Sequence, residues 1–263
     1  MLKINFADLG NFVVGQVNLP SLDMMGTTIH RFLILQRIKW KADAKLILRA
    51  AETKYLDVGA TDWPLQLDIK DFVYRGTYSA DPNILDFAGQ DSQVLKSWLA
   101  KQGSYSPQPY KQLASVLQSS GYIEKSKEIL FENRERERFF TTSILEWCSL
   151  TFYRFVSGYG IYPLYYGLIW MVIFVFGGCL MLYFIQNPFK KSNSTSRGSV
   201  VNQLSVIFIY SLDRFLPGVK LGEHIDPPIR PSGIVWYWFQ IQQIVGFVVA
   251  IFLLAGLSGL VER

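Results

Sequence analysis

Residues that could carry out chemistry are few in this sequence. His30 and His224 are the only histidines in 263 residues and lie far apart, so a catalytic triad or a metal cluster built on histidine would lack members. Cys148 and Cys179 are the only cysteines, and they fit neither a disulfide framework nor a metal site. We therefore predict no catalytic residue, no metal site and no cofactor, and we expect a protein that is not an enzyme.

A nicotinamide or flavin enzyme usually needs a glycine-rich turn between a strand and a helix. The pattern G-x-G-x-x-G, followed about 20 residues later by an acidic residue, does not occur in this chain. A flavin could bind without that pattern, so an oxidoreductase stays the third hypothesis. His224 lies near Glu223 and Asp226 and could bind a cation weakly, but a solvated loop is the favoured interpretation.

The elements that would position functional residues are mostly apolar helices. Half of the residues are hydrophobic and 15% are aromatic, which is more than soluble proteins usually carry. Residues 155–189 and residues 231–261 contain no Asp, Glu, Lys or Arg, and each window is long enough for one helix across a bilayer. We predict membrane spans over about residues 164–185 and about residues 235–260.

A shorter apolar segment lies between these windows. Residues 199–212 carry no charge, but as a helix they would be about 21 Å long, against about 30 Å of hydrocarbon. The segment is too short to span and too apolar on all sides to lie on a surface. We predict a half-membrane or re-entrant helix over about residues 199–216. This order of elements is typical of tetrameric cation channels, although no TVGYG-like filter sequence is present.

Polar and small residues in and before the second span could mediate assembly. Gln240 and Gln243 share one helix face, where an amide in hydrocarbon needs a partner or water. Small residues four apart allow two helices to approach closely. The alternative is that the glutamines lie near the interface and the small residues pack on the first span. The predicted pore or assembly residues are Asp213, Pro217, Gly218, Gln240, Gln243, Gly246, Ala250, Ala255 and Gly259.

In front of the spans, the sequence predicts a small β-rich domain. Short runs rich in branched residues recur every 10 to 15 residues or so, which is typical of strands in a small sandwich or in the last coils of a β-solenoid. The runs are FVVG, QVNL, RFLIL, KLIL, KYLDV, LQLDI and DFVY.

A helical hairpin is predicted after the strands. Asp91 or Ser92 can cap the first helix, and Ser106 with Pro107 can begin the second. We expect the hairpin to cap the β-rich domain, and we keep a docking surface for a soluble partner as the alternative. The residues of that candidate docking surface are Tyr110, Leu113 and Leu117.

Charge in this chain does not predict nucleic-acid binding. The net charge is +5, a modest excess that in a membrane protein favours lipid headgroups. In the run FENRERERFF, acids and bases alternate, so Glu132 can pair with Arg136 and Glu135 with Arg138 on one helix. A solvated connecting helix is therefore the favoured interpretation, with arginines that contact lipid phosphates as the alternative.

Several stretches resemble a bacterial family of two-span membrane proteins. They are AAETKYLDVGATDWPLQLDIKDFVY, YSPQPYKQLASVLQSSGYIEKSKEIL and YSLDRFLPGVKLGE, followed by GFVVAIFLLAGLSGLVER. In this order they resemble the C-terminal half of that family, whose longer members carry a pentapeptide-like β-solenoid before the hairpin and the spans. The resemblance implies a bacterial inner-membrane protein, and such proteins are sometimes labelled membrane-associated oxidoreductases. This chain has little of the solenoid that the long members carry.

Together, these patterns predict an integral membrane α-helical protein with a small cytosolic β-rich domain. We expect a β-rich domain over residues 1–80, a hairpin and connecting helix over 81–154, and a membrane domain over 155–263. Asp8 and nearby glycines interrupt any signal-peptide core, so both termini are expected in the cytosol. The first functional hypothesis is an oligomeric pore controlled by the cytosolic domain. The second is a non-conducting anchor that docks a soluble partner.

Overall fold

The structure is a computed structural model, and it describes residues 1–58, 63–79, 85–186, 200–219 and 229–257. The chain divides into two compact units, Met1–Cys148 and Ser149–Arg263. The first unit contains the strands and three helices, and the second consists of helices. The division into three domains made from the sequence stays a prediction.

The first unit begins with a β-solenoid-like region of short strands. Paired strands form a four-stranded sheet in the order β1-β5-β8-β10, a five-stranded sheet in which β11, β9, β6 and β2 follow one another and β3 also pairs with β6, and a β4-β7 pair. These pairings are parallel. The strands are β1 (Leu2–Lys3), β2 (Asp8–Leu9), β3 (Phe12–Gly15), β4 (Asn18–Leu19), β5 (Leu22–Asp23), β6 (Thr28–Gln36), β7 (Lys39–Trp40), β8 (Lys45–Ile47), β9 (Glu52–Asp57), β10 (Gln66–Asp68) and β11 (Val73–Thr77).

The register of the strands explains why the region winds as a solenoid. Leu22 pairs with Leu2 on one side and with Leu46 on the other, and Leu46 pairs with Leu67. A spacing of about 20 to 24 residues between stacked positions is the length of one coil. Leu22, Leu46 and Leu67 are buried, so equivalent leucines of successive coils form a continuous core. Of the two β architectures predicted from the strand spacing, the solenoid is therefore the one observed.

Three helices complete the first unit: α1 (Ser92–Ala100), α2 (Pro107–Ser119) and α3 (Ile123–Phe140). Asp91 caps α1, since its side chain accepts a hydrogen bond of 2.7 Å from the Gln93 backbone N–H. On α3, the predicted ion pairs are present, with Glu132 bonded to Arg136 and Glu135 bonded to Arg138, each at 2.9 Å. Arg134 also pairs with Glu137, so the charges of this helix are neutralised locally.

Helix α2 covers the last coil of the solenoid. The Gln108 side chain accepts a hydrogen bond from the Asp71 backbone N–H at 2.9 Å and donates one to the Phe72 carbonyl at 3.0 Å. Gln112 donates to the carbonyl of Tyr74 on β11. Because an open solenoid end leaves strand N–H and C=O groups unpaired, these glutamines act as a polar cap, as the hairpin was predicted to do.

The residues predicted as a docking surface are instead packing residues. Tyr110, Leu113 and Leu117 are 3%, 0% and 0% exposed, and they belong to the same core cluster as the solenoid leucines. Burial raises the pKa of the Tyr110 hydroxyl, which therefore stays protonated. A soluble partner cannot contact side chains that the folded unit encloses, so a docking site formed by these three residues is not supported.

Helix α4 (Ile144–Ser157) crosses the boundary between the units in the chain. The second unit also contains α5 (Pro163–Met181), α6 (Val200–Phe215) and α7 (Gly233–Leu257). A 3-10 turn, Gly158–Gly160, precedes α5, and a π-helical turn, Leu182–Gln186, extends it. Tyr159 has φ 61° between two glycines that also have positive φ, so the chain turns sharply here. The segments predicted as spans are helical in their described parts, and α6 lies within the predicted half-length segment.

Two helices of this unit are long and apolar enough to cross a membrane. They cover Pro163–Gln186, with a mean hydropathy of 2.5, and Gly233–Ile251, with a mean hydropathy of 1.6. Only 17% of the first window and 28% of the second are buried within the chain. Their apolar side chains therefore point mostly outward, which is the opposite of the leucines in the solenoid.

Candidate functional site

Helices α5, α6 and α7 pack against one another, and α6 contacts both of the long helices. One face of α6 is enclosed, because Ile207, Tyr210 and Ser211 are buried among residues of α5 and α7. Towards the start of the helix, by contrast, Leu204 and Phe208 are 47% and 41% exposed. The sequence predicted apolar burial on nearly all sides of this helix, whereas a single chain buries one side only.

A buried polar network joins the three helices. The Ser211 hydroxyl donates to the Val175 carbonyl on α5 at 2.8 Å. The Gln242 amide on α7 donates to the Ser211 carbonyl at 2.6 Å and accepts from the Trp238 indole N–H at 3.1 Å. Ser211 and Gln242 are both fully buried, so each polar group has the partner that burial requires.

Glycines on α5 and α7 allow α6 to approach this closely. A Cβ atom at Gly178 would overlap the Ser211 hydroxyl, and a Cβ atom at Gly246 would overlap the Phe215 carbonyl oxygen. Gly246, predicted as a small residue at a helix contact, therefore lies against α6 of its own chain. Close approach through small residues is how helices pack where neighbouring lipid or protein is equally apolar.

Contacts along α7 fix the direction of α6. The rings of Tyr210 and Phe239 lie 5.2 Å apart, Ser211 meets Gln242, and one turn later the Phe215 carbonyl meets Gly246. Residue numbers increase together on the two helices. Helices α6 and α7 therefore run in parallel.

Contacts along α5 fix the depth that α6 reaches. Ile207 packs in one cluster with Leu182, near the end of α5, whereas Phe215 packs in another with Val175. Val175 lies near the middle of the helical segment Pro163–Gln186. Helix α6 thus starts near the level where α5 ends and stops level with the middle of α5.

The end of α6 carries two ionisable residues and a break. Arg214 donates to the Tyr210 hydroxyl at 3.3 Å, and its guanidinium lies 5.4 Å from the centre of that ring. Asp213 is half-buried, and Pro217 and Gly218 are exposed, with Gly218 at φ 80°. A positive φ favours glycine, so Gly218 allows the chain to leave the helix here. The remainder of the predicted return segment, from residue 220 onward, lies outside the described residues.

After residue 228, the described part of the chain resumes beside the C-terminal end of the first long apolar helix. The Gln186 side chain donates to the Arg230 carbonyl and accepts from the Ser232 backbone N–H at 3.2 Å. Val219, by contrast, follows the end of α6 at the middle level. Val219 therefore lies level with the middle of α5, whereas Arg230 lies level with its C-terminal end. Helix α7 begins at this second level.

The predicted assembly residues of α7 occupy different faces. Gln243 is exposed, whereas Gln240 and Ala250 are half-buried and Gly246 is buried. Within the described ranges, neither Gln240 nor Gln243 has a hydrogen-bond partner for its amide group. The side chain of Ala255, and the residues Gly259, Glu223, His224 and Asp226, lie outside what the structure describes.

Gln242 and Ser211 are the site residues that sequence reasoning missed. Gln242 shares its face with the residues that pack inward, which are Val235, Phe239, Gly246 and Val249. Their spacing of three or four residues, with a glycine one turn after the glutamine, was the available signal. The predicted pair, Gln240 and Gln243, lies on the outward side of α7 instead.

Comparison of the chain with protein-family models, with curated proteins and with solved structures finds no match. The structure shows a β-solenoid-like region and two long apolar helices, whereas no comparison identifies the bacterial family that the sequence resembles. Among the described residues, no three His, Cys, Asp or Glu side chains are placed to hold a metal ion. The class that the fold defines is thus a capped β-solenoid-like unit followed by an apolar helical unit.

Proposed function

We propose that this protein is an integral membrane protein and that several copies assemble around an ion-conducting pore. Large apolar side chains on the outside of α5 and α7 support membrane insertion, since exposing them to water costs about 25 cal/mol per Å². Phe176, Leu180, Ile244 and Phe247 are each more than half exposed. In a bilayer, the same side chains face acyl chains at little cost.

The main support for a pore is the position of the C-terminal end of α6, which lies level with the middle of α5. A helix of 16 residues is about 24 Å long, shorter than the hydrocarbon thickness of about 30 Å. It starts beside the end of α5 and ends level with the middle of that helix, so in a bilayer it is re-entrant. Irregular backbone at that depth is tolerated only inside protein or along water. Pro217 and Gly218 are exposed in one chain, so further copies and a water-filled opening would surround them.

Charge at this depth favours cations as the permeating species. The last carbonyls of α6 carry the partial negative charge of the helix end. Asp213 adds a carboxyl group one turn before the break, and an ionisable residue inside a membrane usually marks an ion pathway. Arg214 lies against the Tyr210 ring, which holds its charge on one side of α6.

Assembly into an oligomer is supported by Gln243. Its side chain is exposed near the middle of α7, and an amide that faces hydrocarbon without a partner is costly. A second copy, or water in the opening, would satisfy it. The bacterial inner membrane, cytosolic termini and control by the β-rich unit remain predictions from the sequence and its resemblance.

Planar-bilayer recording of the purified chain, combined with native mass measurement, tests this function. We expect cation-selective conductance from an oligomer. Asp213→Asn should lower the cation-to-anion permeability ratio, whereas Asp43→Asn, which removes an exposed carboxyl group in the solenoid, should leave it unchanged. Absence of conductance at any voltage, from a monomer or from an oligomer, would contradict the proposal.

The anchor and the oxidoreductase hypotheses remain as predicted from the sequence. An anchor would give an oligomer or a monomer without conductance, and its docking surface would lie away from the buried residues Tyr110, Leu113 and Leu117. An oxidoreductase would give a flavin, haem or iron-sulfur band in the absorbance spectrum of the pure protein. The recording and one spectrum therefore separate the three functions.

A further inference from the structure

Helix α4 presents an apolar face that the chain does not cover. Its 14 residues include one buried residue, Ser157, at the C-terminal end. Large side chains are strongly exposed, with Leu145 at 83%, Ile144 at 78%, Phe152 at 71% and Phe155 at 63%. In water, such a face would be unfavourable, because burying one large apolar side chain stabilises a protein by about 1.5–3 kcal/mol relative to leaving it exposed.

The exposed apolar residues lie on one side of α4. Leu145, Cys148, Phe152 and Phe155 follow one another at intervals of three or four residues, which places them on a common helix face. The opposite side carries Glu146, Arg154 and Ser157, with Leu150 as its one apolar residue. The helix is therefore amphipathic, unlike α5, which is apolar on all sides.

The position of α4 in the chain limits what can cover that face. A sharp turn at Gly158–Gly160 joins α4 to α5, which begins at Pro163. The Trp170 indole N–H on α5 donates to the Phe155 carbonyl at 3.1 Å, so the end of α4 is held at the first turns of α5. If α5 spans a bilayer, its first turns lie at the headgroup layer, and α4 must start from the same layer.

We propose that α4 lies in the headgroup layer of the membrane, with the face of Leu145, Cys148, Phe152 and Phe155 against the acyl chains. This inference rests on the membrane insertion in the proposed function. A helix with a Phe-bearing apolar side and a mainly polar opposite side binds bilayer surfaces in this way. Trp147, half-exposed beside that face, suits the interfacial layer where indole rings prefer to lie.

The lipid surface is a better occupant than a soluble partner because the face continues from a predicted span. No additional chain is needed to cover it once α5 is inserted. The polar side, with Glu146 bonded to Thr141, then faces the headgroups and water.

Depth-dependent fluorescence quenching tests the orientation of α4. The full chain carrying Cys179→Ala is labelled at Cys148 with an environment-sensitive fluorophore and reconstituted into phosphatidylcholine vesicles. A matched variant carries Cys179→Ala, Cys148→Ser and Glu146→Cys, which moves the label to the opposite, exposed side. Quenchers are a nitroxide near the headgroup end of a lipid chain and aqueous iodide.

We expect the lipid nitroxide to quench the label at position 148 several-fold more than the label at position 146, and iodide to give the reverse order. Equal iodide quenching at both positions without lipid quenching would overturn the proposal. Shielding of position 148 from both quenchers, with disulfide cross-links between copies, would also overturn it and assign the face to a second copy. Carbonate extraction of the same vesicles separates the causes, since a chain released by carbonate contradicts the membrane proposal itself.

Discussion

Glutamine side chains lie at the edge of the core in the first unit and at the centre of the helix packing in the second. In the first unit, Gln108 and Gln112 lie at the edge of an apolar core and bond to the backbone of the last coil. In the second unit, Gln242 lies at the centre of the helix packing, while leucines, isoleucines and phenylalanines point outward. The first unit is organised as a protein in water is, whereas the second has the outward apolar side chains that the proposed membrane insertion requires.

The same difference governs how closely helices approach. Helix α2 packs through Tyr110, Leu113 and Leu117, so burial of large side chains stabilises the contact. Helix α6 packs through Gly178, Ser211 and Gly246, so close backbone contact and hydrogen bonds stabilise it. Similar substitutions, such as a large apolar residue to alanine, should therefore change the free energy of unfolding by different amounts in the two units.

The largest effect is expected from removing a buried leucine of the first unit. Leu113→Ala should lower the free energy of unfolding by about 3 kcal/mol, because it leaves a cavity beside the solenoid. Ile244→Ala, on the exposed side of α7, should change stability little, because lipid is as apolar as the side chain it replaces. Denaturant unfolding of the chain in lipid nanodiscs measures both, and similar losses would contradict the difference between the units.

A smaller effect is expected when a close helix contact is obstructed. Gly246→Ala should destabilise the helical unit by about 2 kcal/mol, because the added methyl group displaces the Phe215 carbonyl and with it the end of α6. Gly103→Ala is the control, since no atom lies within 4 Å of a Cβ atom there. Thermal unfolding in detergent compares them, and an unchanged midpoint for the α7 variant would show that α6 does not pack here.

Two neighbouring glutamines of α7 allow a finer comparison. Gln242→Leu should cost about 1–2 kcal/mol, because the Ser211 carbonyl loses a donor and the Trp238 indole N–H loses its acceptor. Gln243→Leu should leave the stability of one chain unchanged and alter assembly or conductance. Unfolding and native mass measurement separate the two outcomes, and the reverse assignment would contradict the proposed inner and outer faces.

The smallest effect is expected at the polar cap of the solenoid. Gln112→Ala should lower the stability of the first unit by about 1 kcal/mol, since the Tyr74 carbonyl loses a donor. Gln118→Ala removes an exposed amide from the same helix and serves as the control. Denaturant unfolding should distinguish them, and equal midpoints would exclude a capping role for Gln112.

Patterns within one segment were predicted well from the sequence, whereas contacts between segments were not. Charge-free length identified α5, α6 and α7, and cap preference gave Asp91 or Ser92, of which Asp91 is the cap. Both depend on residues close together in the chain. The choice of Gln242 over Gln243 depends on which side of α7 meets α6, and the burial of Tyr110 depends on the solenoid. Such choices are made by packing between elements far apart in sequence, and a single sequence does not encode them locally.

The side of the membrane on which Ser232 lies tests the proposed re-entrant path of α6 most directly. Single-cysteine variants at Ser143, Gln203 and Ser232, on a background without Cys148 and Cys179, are treated with a membrane-impermeant thiol reagent in oriented vesicles. A re-entrant α6 predicts that positions 203 and 232 react from the same side and position 143 from the opposite side. Reaction of positions 203 and 232 from opposite sides would mean that α6 crosses the bilayer, and the pore proposal would lose its basis.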